Sequence, residues 1–195
     1  MAETEKKEDR RVRRTKKLLT TALTQLMQEK QISEITVREL TELADMNRGT
    51  FYLYYRDIYD MLEKIEDSMF EALDRIIDLE ENESVDRQTK PILLKLFQFI
   101  EENQEMCRVL LSPNGDMSFL HRLNSVMREK CLRFFRAAEA ESWDGDFDYH
   151  YNFLMFGTAG LIRAWVNRGC PESPAQMAEL TDHMIRRGGL DLQNN

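Results

Sequence analysis

The chain has 195 residues, 42% of them hydrophobic and 32% charged, with only 8 Gly and 4 Pro. That composition suits a folded globular protein rich in helix, and the length allows one large domain or a small one joined to a larger one. The formal net charge of -8 argues against a uniformly basic nucleic-acid binder, and no apolar run reaches the roughly 20 residues that cross a bilayer; Met1–Arg14 is too charged for a signal peptide, so a cytoplasmic location is expected.

Taken in chain order, Met1–Asp9 is polar and reads as a disordered arm. The basic cluster Arg10, Arg11, Arg13, Arg14, Lys16 and Lys17 leads into Leu19, Ala22, Leu23, Leu26 and Met27. Those apolar residues are spaced by three and four, as on one face of a helix. After a connection holding Ile32 and Ile35, Thr36-Val37-Arg38-Glu39 has the pattern of a capping box. The Thr36 hydroxyl would accept from the Glu39 N–H, and the Glu39 carboxylate would reach back. A short helix follows with Val37, Leu40, Leu43 and Ala44 inward, then a turn at Asp45 and Met46. Asn47 can cap the next helix, which carries Arg48 to Tyr55; Asp57 and Asp60 open a fourth through Met61, Leu62, Ile65, Met69, Leu73 and Ile76.

Glu80 to Thr89 reads as a frayed helix end and loop, and Pro91 sits in the first turn of a helix with the stripe Leu93, Leu94, Phe97 and Ile100. Ser112–Asp116 is a turn by composition, and a helix covers about Ser118 to Glu139. Asp144-Gly145-Asp146 breaks the chain before a long apolar helix from about Phe147 to Arg168, ended by Gly169; Ser173-Pro174 opens a last helix to about Arg187. No strand alternation appears. The expected fold is all-α: an arm at 1–10, a three-helix helix-turn-helix domain at 11–57, and a helical regulatory and dimerisation domain at 58–195, in about nine helices.

Charge is unevenly placed. Arg10 to Arg56 holds ten basic and five acidic residues, whereas Glu66 to the end holds 14 basic and 23 acidic. A basic head on an acidic body suits nucleic-acid contact through one end. The second helix of a helix-turn-helix enters a major groove about 12 Å wide, so its outer face needs groups that bond phosphates and base edges. Arg48, Thr50, Tyr52 and Tyr54 supply a guanidinium and three hydroxyls, and Gly49 removes a side chain near the helix start. Phe51 and Tyr55, four apart, can anchor the helix; free N–H groups near Thr36 can meet a phosphate, and the Arg10–Lys17 arm can track the backbone. The plainer alternative is a pair of ordinary core helices with an exposed aromatic cluster for protein contacts.

The stretch Ile35-Thr36-Val37-Arg38-Glu39-Leu40 and the run Ala44-Asp45-Met46-Asn47-Arg48-Gly49-Thr50-Phe51-Tyr52-Leu53-Tyr54-Tyr55 resemble the DNA-binding domain of the TetR family of regulators, over roughly Arg11 to Ile65. The resemblance implies contacts to DNA by Thr36, Val37, Arg38, Arg48, Gly49, Thr50, Tyr52 and Tyr54; Arg14 of the basic arm and the cap Asn47 complete the candidate DNA-binding set. The chain departs from the family pattern at Asp45, where Gly is usual, at Thr41, where Ala is common, at Tyr54, where many members carry His, and at Ile58, where a phosphate-bonding Lys is frequent. Leu110–Asp116 and Gly160–Trp165 are similar to the Firmicutes-type C-terminal domain of part of that family. This second resemblance implies an all-helical body and a dimer built on the last two helices.

The small residues Gly157, Gly160 and Ala164, with Leu161, Trp165, Met177, Leu180 and Met184, are the candidate two-fold interface. The body is rich in Met and Phe, among them Met69, Phe99 and Met155, which could equally be plain core. The candidate effector pocket is Phe97, Met127, Cys131, Phe134, Phe153, Phe156 and Arg163, suited to a small hydrophobic molecule, or to an anionic one paired with Arg163. His121, His150 and His183 are dispersed, and Cys107, Cys131 and Cys170 lack metal spacing and read as buried thiols. No catalytic constellation, phosphate-cradling loop or metal motif is present, so no enzyme activity, cofactor or metal is expected. The functional expectation is a homodimeric regulator on a palindromic operator, a repressor released by an effector. An activator, a regulator under protein control, and a helical adaptor without DNA binding are the alternatives.

Overall fold

The computed structural model describes residues 10–83, 89–111, 117–137 and 147–190, and among these every regular element is helical. The elements are α1 (Arg10–Glu29), a single 3-10 turn (Ile32–Glu34), α2 (Val37–Leu43), α3 (Arg48–Tyr52), α4 (Ile58–Glu83), α5 (Thr89–Glu102), α6 (Gln104–Leu110), α7 (Met117–Ala137), α8 (Phe147–Asn167) and α9 (Pro174–Leu190). The expected arm at 1–9, the turn at 112–116 and the break at 144–146 lie outside the described residues. The chain forms two compact units, one ending at Asp67 and the other beginning at Ser68.

In the first unit the α1 stripe is buried as its spacing requires: Leu19 and Leu23 are fully covered, and Ala22, Leu26 and Met27 nearly so. α1 packs on α2 and α2 on α3. Leu40, Phe51, Tyr55, Ile58 and Met61 complete this core. The unit ends ten residues beyond the expected boundary at 57. The start of α4 is the reason: Asp60 Oδ2 accepts from the Arg56 N–H at 3.0 Å, and Lys64 Nζ donates to the Tyr54 carbonyl at 3.0 Å. Those bonds tie the opening turns of α4 to the segment that follows α3.

In the second unit α5 packs along α9, α6 and α7 rest on α8, and α8 contacts α9. Phe97 and Trp165 are both buried and meet edge to face at 5.3 Å, at the centre of this core. The Trp165 indole N–H donates to the Glu172 carbonyl at 3.1 Å, which satisfies its one polar atom. Tyr151, buried on α8, donates through its hydroxyl to the Asn124 carbonyl of α7 at 2.7 Å.

Helix ends follow local chemistry. Gly169 (φ 80) and Cys170 (φ 54) stop α8 in the left-handed region, with the Cys170 N–H donating to the Trp165 carbonyl at 3.0 Å. Ser173 and Gln176 bond each other reciprocally at the start of α9, the Gln176 N–H to Ser173 Oγ and the Ser173 N–H to Gln176 Oε1. One helix was not anticipated: α6. The apolar period runs on past Ile100, but Asn103 leaves helical geometry (φ -116, ψ 25), and its side chain donates to the Phe99 carbonyl at 2.8 Å. That side-chain bond gives a second donor to a carbonyl that already accepts the Asn103 N–H at 3.1 Å, and the chain bends there before helix resumes.

Candidate functional site

The head is assembled by caps. At the start of α2 the Glu39 N–H donates to Thr36 Oγ1 at 3.2 Å, the first half of the expected capping box. The second half does not form. The Glu39 carboxylate instead takes the Lys30 ammonium at the end of α1, a charge-assisted bond stronger than one to a neutral backbone N–H. This ion pair fastens α1 to the first turn of α2. Thr41, buried in the middle of α2, keeps its hydroxyl satisfied by donating to the Val37 carbonyl at 2.8 Å, so it occupies a position open to Ala without an orphaned polar group.

The turn closes in left-handed geometry. Asp45 has φ 52, and the Met46 N–H donates back to the Thr41 carbonyl at 2.8 Å. Asp tolerates this conformation better than most residues, which is why it can stand where Gly would be easier. Asn47 then caps α3 by accepting the Gly49 N–H on Oδ1 at 2.8 Å. A Cβ on residue 49 would approach that same oxygen to 3.3 Å, so glycine at this position leaves the cap undisturbed.

α3 spans only Arg48–Tyr52, shorter than the expected run to Tyr55, but its anchoring is as expected. Phe51 is fully buried, with Tyr52 edge-on at 5.4 Å and Tyr55 at 5.5 Å. With Phe51 and Tyr55 turned inward, the opposite side is left to solvent. Arg48, Gly49 and Asn47 are exposed, Tyr52 is 58% exposed, and Thr50 and Tyr54 are half-buried. On α2 and α1, Thr36, Arg38 and Arg14 are exposed and Val37 is half-buried. The fold therefore brings Thr36, Val37, Arg38, Asn47, Arg48, Gly49, Thr50, Tyr52 and Tyr54 onto the capped α2–turn–α3 element, and Arg14 onto the basic first turns of α1. The Arg38 guanidinium bonds Glu42 at 2.8 Å, and that carboxylate raises its pKa. Ile58 is 4% exposed and belongs to the core, so this position offers nothing to a phosphate.

Behind α3, Asp60 is buried between two cations. It accepts from Lys64 Nζ at 2.9 Å, from the Arg56 N–H and from Arg56 Nε at 3.0 Å. The Lys64 bond, then the Arg56 backbone bond, hold its carboxyl down at about 2. Lys64 also lies 5.5 Å from the centre of the Tyr55 ring. The segment that follows α3 is thus clamped to α4 by hydrogen bonds, charge and an aromatic face.

The second unit holds an apolar cavity of about 140 Å³. Met69 and Leu73 of α4, Leu96 and Phe99 of α5, Met127 of α7 and Met155 of α8 are among its walls, and among the described wall residues none is charged and Thr158 alone carries a hydroxyl. Of the expected pocket residues, Met127 lines this cavity. Phe97 packs in the core against Trp165, Phe153 and Phe156 are 66% and 67% exposed, and Arg163 is exposed. The side chains of Cys131 and Phe134 lie outside the described residues. The reason is the rotation of α8. Its apolar residues occupy two faces; the one carrying Met155, Ala159 and Ile162 turns to the cavity, and the one carrying Phe153, Phe156, Gly157, Gly160 and Ala164 turns out. The spacing of three and four along Met155, Ala159 and Ile162 was the available signal, but an equal stripe on the other face masked it.

Of the expected two-fold residues, Leu180 and Met184 of α9 are 43% and 52% exposed, and a Cβ on Gly157 or Gly160 would meet nothing within 4 Å. Leu161 is half-buried and Ala164 exposed. Trp165 and Met177 are 2% and 4% exposed and belong to the unit's own core, because they sit on the sides of α8 and α9 that face inward. Among the described residues no His, Cys, Asp and Glu cluster could hold a metal, and no helix is long and apolar enough to cross a membrane.

Residues 87–187 match the TetR-type family model described as "Transcriptional regulator C-terminal region". An uncharacterised HTH-type transcriptional regulator of Bacillus subtilis, YxbF, is 27% identical over 166 residues, which is 81% of this chain and 41% of that protein. The chain thus spans about two fifths of the curated relative's length. Among solved structures, the fatty acid degradation regulator FadR from Bacillus halodurans superposes with a TM-score of 0.69 at 15% identity, over 90% of this chain and 96% of that one. The transcriptional regulator FadR from Bacillus subtilis in complex with stearoyl-CoA gives 0.58 at 15% identity, over 87% and 95%. At such identities these two likenesses establish the fold alone.

Proposed function

Since the chain belongs to the TetR family of transcriptional regulators, we propose that it acts as a homodimer on a palindromic operator, reads DNA through α2 and α3, and represses until an effector enters the second unit. The observation that carries this reading is the arrangement of α3: Phe51 and Tyr55 are locked inside, and Arg48, Thr50, Tyr52 and Tyr54 are carried on a capped, clamped element. Thr36, Val37, Arg38, Asn47 and Gly49 flank the same surface, and Arg14 extends it along α1. Tyrosine hydroxyls and the α2 N-terminus would meet phosphates, Arg48 and Thr50 base edges, and two copies would reach half-sites about 34–36 Å apart. For the contact by Arg38, its bond to Glu42 is exchanged for one to DNA.

The outward stripe of α8 with Leu180 and Met184 of α9 supports the dimer. An apolar face of this kind is costly in water, and its glycines allow a second helix to come close. The interface proposed here includes Gly157, Gly160, Leu161, Ala164, Leu180 and Met184, joined by Phe153 and Phe156 and without Trp165 and Met177. A charge at its centre, Phe156→Glu, leaves a folded monomer by sedimentation. An unchanged dimer would move the interface elsewhere.

The cavity supports an effector site, and α4 is one continuous helix carrying Asp60 and Lys64 near its start and the cavity residues Met69 and Leu73 further on. An effector that prefers one arrangement of this helix shifts the DNA-binding equilibrium by its differential affinity and no more. The direct test is selection of bound genomic fragments by the purified protein and by Arg48→Ala. Enrichment of a palindrome by the wild type and its loss in the variant is the expected result. Equal enrichment by both would remove Arg48 from the base-reading set, and no enrichment by a folded dimer would count against operator binding by the unliganded protein.

A further inference from the structure

We propose that the cavity takes one uncharged, flat apolar molecule about the size of a substituted benzene, and that acids and long acyl chains are excluded; this rests on reading the second unit as the effector-binding half. Three observations carry it. The first is the chemistry of the wall. Among the described residues that line the cavity none is charged, and Thr158 is the one that carries a hydroxyl. Arg163 follows the wall residue Ile162 on α8 but is exposed and does not line the cavity. An anion placed inside would therefore stand without a counter-charge, with the Thr158 hydroxyl the one side-chain O–H donor among the described wall residues, and low-dielectric surroundings penalise that heavily. Cys107 is the one ionisable side chain in the wall; burial pushes its thiol up to about 12, so it remains neutral.

The second observation is size. A cavity of about 140 Å³ is close to the ~150 Å³ engineered apolar cavity that stays dry and takes benzene. It holds a ring with a small substituent, whereas a long acyl chain exceeds that volume and would leave part of its length outside it. The third is shape and polarisability. Met69, Met127 and Met155 bring sulfur from three different helices, and Phe99 and Phe119 bring two rings. Thioethers adapt to irregular outlines and favour contact with aromatic edges, so this wall rewards a flat ring over an aliphatic chain of equal area.

The experiment uses the full chain with toluene, benzoate and stearoyl-CoA as probes, read by thermal unfolding and by affinity for the selected DNA fragments. Toluene raises Tm by about 3–6 °C at ten times its dissociation constant, benzoate binds at least about 100-fold more weakly, and Ala159→Phe, which fills the cavity from α8, removes the toluene shift. The comparison of toluene with benzoate needs no variant, so it stands even if Ala159→Phe folds poorly. Absence of a toluene shift, or benzoate or stearoyl-CoA binding as tightly as toluene, would overturn the proposal. If an acid or acyl-CoA both binds and releases DNA, the effector reading survives and this ligand class does not. If toluene binds and DNA affinity is unchanged, the ligand class stands and the regulatory reading of the cavity falls.

Discussion

The two units use aromatic residues in opposite ways. In the head, α3 buries Phe51 completely and leaves its neighbour Tyr52 58% exposed, so the apolar ring anchors and the hydroxyl-bearing ring faces out. In the body, α8 buries Trp165 but leaves Phe153 and Phe156 about two-thirds exposed. An exposed tyrosine has a polar atom that water satisfies and that can later be offered to a phosphate. An exposed phenylalanine has only area, and area is stabilised by another apolar surface. The exposed ring of α3 is therefore satisfied by water, whereas the exposed rings of α8 leave apolar area uncovered.

The comparison can be broken first at the two cores. Phe51→Ala and Trp165→Ala should each cost about 3–5 kcal/mol. Trp165 is buried in the second unit, so its fluorescence reports the body. In urea, Phe51→Ala should lower an early helical transition by circular dichroism and leave the tryptophan transition in place. If the tryptophan signal moves with it, the two units unfold as one and the contrast between them is energetic fiction. Trp165→Ala should move the body's transition, read by circular dichroism with Trp143 as the remaining fluorophore.

The next effect is confined to recognition. Tyr52→Phe should weaken binding of the selected operator by roughly 1–3 kcal/mol, because it removes a hydrogen bond to a charged oxygen and leaves the ring. Unfolding midpoint and dimerisation should not change. Equal affinity in a titration at fixed salt would take Tyr52 off the contact surface. Smaller still is Asn47→Ala, which should cost the head about 1 kcal/mol through loss of the α3 cap; an effect confined to the body's transition would contradict the assignment.

The smallest effect is on pH dependence. Asp60 is held at about 2, below its ordinary value of 3.8, by the Lys64 bond first and the Arg56 backbone bond second. A depressed carboxyl contributes stability above its ordinary value and loses it as pH falls toward the folded value. The head should therefore weaken between about pH 4 and 2, and Asp60→Asn should flatten that part of the profile. An identical acid limb in the variant would show that Asp60 does not govern it.

Much of the head was legible because its determinants are local. The α1 stripe, the Thr36 cap, the left-handed Asp45, the Asn47 cap and the Phe51–Tyr55 anchor each involve residues within a few positions of one another. Three local expectations failed: Glu39 reaching back to Thr36 lost to Lys30, at the end of α1; Leu43, expected inward, is 49% exposed because α2 is covered on the side of Leu40 and Thr41; and α3 stops at Tyr52. In the body the helices themselves were legible except α6, where a single Asn103 interrupts an otherwise continuous apolar period. Their roles were less so. Phe97, Phe153 and Phe156 read alike in sequence, yet one lies in the core and two lie on the surface.

By itself, then, the sequence determined the helical class, the order of the elements, the charge asymmetry and the capped helix-turn-helix with its outward hydroxyls. These follow from periodicity, caps and turn chemistry, which act over one or two turns of chain. Tertiary structure decided which side of α8 faces inward, and with it which residues wall the cavity and which are left exposed. A helix that is apolar on two faces has no preferred rotation of its own. Its rotation is set by what α5, α6, α7 and α9 bring to it, and that is a property of packing between distant segments.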